Sequence, residues 1–516
     1  MNKPCESNLS QPKPPSSIFT RRQIVRGAIA LATSSLLPGC GSSSISSSTS
    51  PSSASNPQPT PSGPMTSASL TITATASGVI GPAFAGLSYE KSSLYENPYL
   101  FTASNTNLIG LFKRLGASVL RIGGNSVDRN VWTPNGAGQT ASQIAPSDIS
   151  SLAAFVKAVG WQCLYGVNLG GTATGATNPT LAAEEVACAY QQFGSSLLGI
   201  EIGNECDLYG NSGNYYAGNW SLSQFLTLWG QYRSAILATT PNVPITGPAD
   251  AGNESTWTVP FGQTVTKSEI TLLTQHYYRA NGQSPTSTAA YLITPDSSLV
   301  SDLATLNTGA KGIGISYRMS ECNSFYNGGA SGVSDSYASS LWVIDFLFNC
   351  AQGGSAGTNF HGGGNGSGYT PIADSGGTVV EARPECYGIL FFTLAGQGTL
   401  YTTQLSAGGL NVTAYAVKAS TGGLNIVFVN KDLTNNLQLT MQLPQTTASA
   451  TLLEMTQLSQ GATAPNLTAT GGVTIQGASV GNDGTFSPSA AYTLSPSGSQ
   501  LTCYVPALSA VLIQIV

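Results

Sequence analysis

Between Phe84 and about Leu400, short apolar runs alternate with stretches whose apolar residues recur every three or four positions. The runs are Phe84–Tyr89, Val119–Gly123, Cys163–Asn168, Leu198–Gly203, Pro244–Pro248, Thr271–Tyr277, Ile313–Ser320 and Thr358–His361. Continuous apolar runs of this length predict strands buried on both faces, as in a parallel sheet. The stretches between them predict helices over Asn107–Leu115, Ser147–Val159, Leu181–Phe193, Leu222–Leu237, Leu299–Leu306 and Tyr337–Cys350. Leu222, Phe225, Leu226 and Trp229 illustrate the spacing; Trp257–Val265 is the weakest such stretch. Eight strand–helix units in series predict an α/β fold, a (β/α)8 barrel over residues 84–399.

The pattern changes near Leu400. Val412–Val417, Leu424–Val429, Leu437–Met441 and Ala510–Val516 read as strands separated by Gly, Asn and Ser turns, and only five charged residues follow Leu400. Residues 400–516 are expected to form an all-β sandwich. Leu70-Thr71-Ile72-Thr73-Ala74 alternates in the same way, so residues 70–83 are expected to lend that sandwich a strand.

Composition narrows the functions. Of 516 residues, Lys plus Arg is 19 and Asp plus Glu is 24, giving a net charge of −5. Without a Lys/Arg cluster to neutralise phosphates, nucleic acid is not an expected partner. The two histidines, His276 and His361, exclude a multi-histidine zinc site, and no CxxC pair replaces one; neither metal nor cofactor is expected. The nine cysteines are too sparse for a disulfide scaffold, so most should be buried thiols, with one or two bridges at most.

The first 40 residues carry Thr20-Arg21-Arg22-Gln23-Ile24-Val25-Arg26, which resembles a twin-arginine export signal, followed by a weakly apolar stretch to Leu37. Leu37-Pro38-Gly39-Cys40 resembles a lipobox whose cysteine becomes acylated, although Pro38 stands where a small residue is usual. Export, with anchoring in the cell envelope through Cys40 or release into periplasm or medium, is the expectation. Residues 41–69 are Ser, Pro and Thr-rich and uncharged, and read as a disordered tether.

Chemistry-bearing residues of a (β/α)8 barrel sit where its strands end. Glu205 follows the fourth run and Glu321 the seventh. Two carboxylates flanking one bond are what glycoside hydrolysis needs, one giving a proton and the other attacking the sugar carbon. Asn-Glu recurs at Asn253-Glu254, but in a polar, loop-like context.

Leu120-Arg121-Ile122-Gly123-Gly124-Asn125-Ser126, Glu201-Ile202-Gly203-Asn204-Glu205, Ser320-Glu321-Cys322-Asn323 and Gly368-Tyr369-Thr370-Pro371 resemble motifs of family 79 glycoside hydrolases. These are the bacterial β-glucuronidases and heparanases, in the clan of retaining (β/α)8 glycosidases. The likeness spans about Leu70 to Val516. It implies Glu205 as acid/base, Glu321 as nucleophile and Asn204 on the sugar 2-hydroxyl. It further implies Tyr277 holding the nucleophile, and Tyr326, Gly368 and Tyr369 meeting a uronate carboxylate. Asn125 would line the pocket.

Other residues stay open at this point. His276 is either a sugar contact or a core histidine, and His361 leans structural. Arg121 pairs with Glu201 or reaches Glu321. Tyr89, Glu90 and Lys91 end the first strand and either line the pocket or, the favoured reading, form a solvated rim. A monomeric exo-acting retaining β-glucuronidase is the leading reading, with an α-L-arabinofuranosidase of the same clan or an idle glycan-binding surface lipoprotein as alternatives.

Overall fold

The computed structural model describes residues 56–515. The export motif, Cys40 and the start of the tether lie outside them. Eight parallel strands close into a barrel: β1 Ala85–Glu90, β2 Val119–Gly123, β3 Gln162–Val167, β4 Leu197–Ile202, β5 Ile245–Asp250, β6 Leu272–Asn281, β7 Tyr317–Tyr326 and β8 Thr358–Gly362. Each strand pairs with its neighbour in sequence, and β8 returns to β1.

The main barrel helices are α1 Thr106–Arg114, α2 Pro146–Val159, α3 Pro179–Phe193, α4 Leu222–Thr239, α5 Val259–Val265, α6 Ser297–Ile313, α7 Tyr337–Gln352 and α8 Pro384–Leu394. Local sequence sets their ends. Asn178 and Asp296 accept the backbone N–H groups of Leu181 and Leu299, capping α3 and α6. Gly160 and Gly314 close α2 and α6 at φ +80° and +78°, a left-handed turn that favours glycine.

Two boundaries differ from the pattern. Helix α6 keeps its backbone bonds through Ile313, so β7 begins at Tyr317 and runs on to Tyr326. Glu321 therefore lies inside a strand and not beyond its end. Helix α8 was invisible to periodicity because Cys386, Tyr387, Ile389, Leu390, Phe391 and Phe392 bury nearly its whole circumference. A helix apolar all round shows no stripe.

A ten-stranded sheet forms the second region. Met65–Ile80 runs antiparallel to Gly398–Ser406 and parallel to Asn436–Gln442, so the N-terminal strand does join the C-terminal sheet. It starts at Met65, five residues inside the segment read as tether, and Asn56 and Gln58 already bond to the sheet through the carbonyls of Ala490 and Tyr504. Leu70, Ile426, Phe428, Leu439, Leu501 and Ile513 share a cluster separate from the barrel core, so the sheet folds upon itself. Its other face packs on the barrel helices: Tyr415 stacks on Phe348 of α7 at 4.2 Å, and Lys431 pairs with Asp345. Among the described residues no helix is long and apolar enough to cross a membrane. Cys163, Cys188, Cys206, Cys322, Cys350, Cys386 and Cys503 are all free thiols, so none of these forms a bridge with another.

Candidate active site

At the end of β4 the chain turns sharply at Gly203, φ +87°, where a Cβ would meet the Cys206 sulfur at 2.5 Å. Glu205 follows at φ +49°, an uncommon conformation for a residue with a side chain, fixed by its N–H donating to the Ala249 carbonyl at 2.8 Å. Asn204 is held on two sides. Its N–H donates to Asp128, and its Oδ1 accepts from Arg121 Nη2 at 2.9 Å. Buried Asp128 also accepts from Leu169, Gly170 and the Tyr209 hydroxyl, binding the loops after β2, β3 and β4 together.

Arg121 resolves the alternative left open by sequence, because it makes both pairs. Nε donates to Glu201 and Nη1 to Glu321, each at 2.6 Å. All three groups are nearly inaccessible to solvent. The rigid planar fork presents its donors at fixed angles, so one guanidinium can hold several acceptors in a set geometry, which the rotatable donors of an ammonium do not impose. The guanidinium lies over Gly123, whose added Cβ would come within 2.3 Å of its carbon. That explains the first glycine of the Gly123-Gly124 pair.

Glu321 receives a second donor, the Tyr278 hydroxyl, at 2.7 Å on its other oxygen. This corrects the assignment of Tyr277. Side chains alternate along β6, so His276 and Tyr278 enter the barrel while Tyr277 faces away. The Tyr277 hydroxyl donates instead to Asp296 at 2.6 Å, and its ring packs on Phe346. Burial opposes charge on Glu321. His361, His276, Arg121 and the Tyr278 hydroxyl outweigh it and hold the carboxyl well below the usual carboxylate range.

His276 is buried, with Nδ1 3.1 Å from Glu205 and no partner for Nε2 among the described residues. His361 belongs to the site rather than to the framework. Nδ1 lies 3.0 Å from Ser88 Oγ and 3.6 Å from Glu321, and Nε2 lies 3.8 Å from Glu90. Burial alone would lower its pKa; Glu321 and Glu90 raise it above the ordinary histidine value. Glu90 is half-buried, not simply rim, and accepts from the N–H groups of Asn125 and Ser126. Tyr89 and Lys91 also depart from the rim reading: Tyr89 packs edge-on to Phe101 in the core, and Lys91 is buried against Glu185.

Of the remaining candidates, Tyr369 lies near the two carboxylates, its ring 5.7 Å from Tyr278 and 6.1 Å from His361. Gly368, φ +152°, lets its loop approach the Gly328 carbonyl, which an added Cβ would meet at 2.0 Å. Tyr326 ends β7 exposed, with no hydrogen bond to its hydroxyl among the described residues. Asn125 is exposed and touches the site through its backbone. Ligand atoms of Glu205, His276 and Glu321 lie within 4.8 Å of one another. A cation there would stand beside the Arg121 guanidinium, which already occupies Glu321, so the set suits two carboxylates better than a metal.

A closed parallel barrel with acidic strand ends, joined to a β-sandwich, is the architecture seen in several glycosidase structures. A 4-O-α-L-rhamnosyl-β-D-glucuronidase from Fusarium oxysporum superposes with a TM-score of 0.70 at 20% identity, covering 87% of this chain and 100% of that one. A family 51 α-L-arabinofuranosidase from Bifidobacterium longum superposes at 0.62 with 14% identity, covering 87% and 100%. At these identities the likeness is one of fold. In sequence, the chain is 27% identical over 306 residues to a β-glucuronidase of Aspergillus niger. That match covers 52% of this chain and 55% of the relative, so it spans about half of that protein's length. No protein-family model matches the chain.

Proposed function

We propose that this protein is a glycoside hydrolase, a retaining exo-β-glucuronidase working by double displacement. The observation that carries this reading is the unequal pair of carboxylates. Glu321, with Arg121 and Tyr278 donating to it, is built to stay ionised and attack the anomeric carbon. Among the described residues the Glu205 carboxylate is hydrogen-bonded to His276 alone, and it is the group left to protonate the departing oxygen and later activate water. One oxygen of each carboxylate lies within 4.8 Å of one of the other, which supports the ~5–5.5 Å carboxyl separation of direct attack over the ~6.5–9.5 Å that makes room for an intervening water. Asn204, with its Oδ1 committed to Arg121, has no partner for its amide N–H groups among the described residues and can offer them to a sugar hydroxyl.

The Aspergillus and Fusarium proteins support glucuronide as the substrate class. The substrate carboxylate would be met by Tyr369, Tyr326 and the backbone at Gly368. Hydrogen bonds to a charged acceptor are strong enough, at ~1.5–3 kcal/mol each, to select uronate without a cationic clamp. Arg383 lies near this loop but is engaged by the carbonyls of Gly366 and Asn365. Export and lipidation at Cys40 belong to the same proposal and rest on the leader motif alone.

Turnover of a chromogenic β-glucuronide, compared with the β-glucoside and the α-L-arabinofuranoside, is the test. Glucuronide preference with retained configuration, read by NMR of the first product, is expected. Arabinofuranoside preference would move the assignment to another hydrolase of this fold, and no turnover of any would reject it.

A further inference from the structure

The loop after the catalytic acid carries a feature that the hydrolytic step does not use. Between Leu208 and Ser221 it holds four aromatic residues and no charge: Leu-Tyr-Gly-Asn-Ser-Gly-Asn-Tyr-Tyr-Ala-Gly-Asn-Trp-Ser. Tyr216 and Trp220 stack face to face, 4.3 Å between centroids and 15° between planes. Beneath them Tyr209 is buried, 5.6 Å from Trp220, with its hydroxyl on Asp128. The Trp220 Nε1–H donates to the Cys206 carbonyl at 2.7 Å. The stack is therefore fastened to the residue directly after Glu205. Tyr215 leans over Gly170 at the end of β3, where an added Cβ would strike the ring at 2.6 Å. Tyr215, Tyr216 and Trp220 all keep part of their surface in solvent.

We propose that this loop forms the leaving-group subsite and selects a neutral pyranose there. The proposal rests on Glu205 being the acid that protonates the leaving oxygen, since the departing group must then lie on its side of the scissile bond. The ring platform is anchored to Cys206, the residue directly after that acid. A pyranose presents an apolar face of C–H groups, which suits the electron-rich face of an aromatic ring. Asn211 and Asn219, both exposed and in the same loop, offer amides for sugar hydroxyls. Amides flanking aromatic rings favour a sugar over a purely aryl leaving group, and the loop itself contributes no charge, Arg129 standing against Tyr215 rather than against the Tyr216–Trp220 stack, which favours a neutral one.

The test compares three substrates in the full chain. They are β-glucuronosyl fluoride, whose leaving group fills no subsite; phenyl β-glucuronide; and a disaccharide of β-glucuronic acid on a neutral hexopyranose. Tyr216→Ala and Trp220→Phe should lower kcat/KM on the disaccharide by roughly tenfold or more while the fluoride changes less than about twofold. Trp220→Phe keeps a ring but loses the anchoring bond, and circular dichroism checks that both variants fold. Equal loss on the fluoride would make the stack a structural support and overturn the proposal. So would an unchanged disaccharide, or a loss confined to the phenyl substrate, which would mean an aryl subsite. If the wild type turns over none of the three, the hydrolase reading itself has failed. Calorimetry with lactose and cellobiose then judges the platform alone: binding that Tyr216→Ala abolishes supports it, and no binding overturns it.

Discussion

Tyr277 and Tyr278 are adjacent in sequence and face opposite ways, so one hydroxyl deletion in each separates catalysis from packing. Tyr278 donates to Glu321 at 2.7 Å, and the acceptor is a buried carboxylate. A charge-assisted bond of this kind is worth about 1.5–3 kcal/mol, and its removal leaves one oxygen of Glu321, the proposed nucleophile, unsatisfied and freer to rotate. Tyr278→Phe should therefore cost roughly 10- to 150-fold in kcat/KM. Tyr277 donates to Asp296, which caps α6 and lies 3.6 Å from Arg279. Tyr277→Phe should leave kcat/KM within about threefold and lower the thermal midpoint, because it leaves a partly buried carboxylate short of a donor.

A pH profile adds a second reading. Glu321 is held well below the ordinary carboxylate pKa, so if it is the nucleophile, as proposed, the acidic limb it sets should fall far below pH ~4.3. Tyr278 is one of the groups that lowers it. Removing the hydroxyl raises the pKa of Glu321, and the acidic limb must move upward in Tyr278→Phe and stay fixed in Tyr277→Phe. The assay is kcat/KM on an activated aryl glucuronide across the acid range, with melting followed in parallel. If Tyr277→Phe is the more damaging to turnover, or if neither variant moves the limb, the assignment of β6 side chains to the two faces of the strand is wrong.

The two carboxylates should fail differently: Glu321→Gln stops turnover of every substrate, whereas Glu205→Ala retains activity on dinitrophenyl glucuronide and is accelerated by azide, both read by release kinetics. Tyr369→Phe should reduce kcat/KM on a glucuronide by roughly 10- to 100-fold and spare the matching glucoside; a parallel fall on both would leave Tyr369 as a pocket wall. Buried Glu385, pushed up to about 8 by desolvation, retains its proton in the folded chain where an unfolded carboxyl with pKa ~4.3 has lost it. Stability should thus decline as pH rises from about 4.3 towards 8, and Glu385→Gln should flatten that decline in denaturant midpoints measured across the window.

The barrel was legible because strands covered on both faces read as unbroken apolar runs, and each such run, from Phe84–Tyr89 onward, lies on or beside an observed strand. What the pattern could not show depended on neighbours remote in sequence. Gly398–Ser406 and Gln500–Val505 are rich in Thr, Gln and Ser and become strands through the partners they meet, Met65–Ile80 and Asn436–Gln442. Glu205 and Glu321 were legible by their place at the fourth and seventh runs. The exchange of Tyr277 for Tyr278 was an error of facing. His276 contacts Glu205, and the residue two positions on shares its face, so the His-x-Tyr spacing held the answer once one side chain was known to point inward. His361 and Glu90 gave no comparable sign, because a histidine ending a strand and a glutamate after a tyrosine fit core and rim equally well.

The low charge content also looks different once the side chains are placed. Charged residues are almost never fully buried unless paired, yet here Lys91, Arg121, Glu185, Glu201, Arg318 and Glu321 are all buried. Two arginines of the barrel show that burial serves different ends. Arg318 is surrounded by neutral acceptors, among them the carbonyls of Ala83, Phe84 and Thr358 and the Asn359 amide oxygen. Burial pushes its pKa down to about 9, the mark of a cation used as a hydrogen-bond hub to tie β7 to the starts of β1 and β8. Arg121 faces Glu201 and Glu321, which raise its pKa against the same burial. Its positive charge is thereby locked in place, and with it the negative charge of Glu321. Glu201 is then more than a structural partner: by sharing the guanidinium it fixes the angle of the fork, so that the remaining arms reach Glu321 and Asn204 together. A chain with few charges has set several of them where water cannot screen them, and there each has its largest effect on its neighbours.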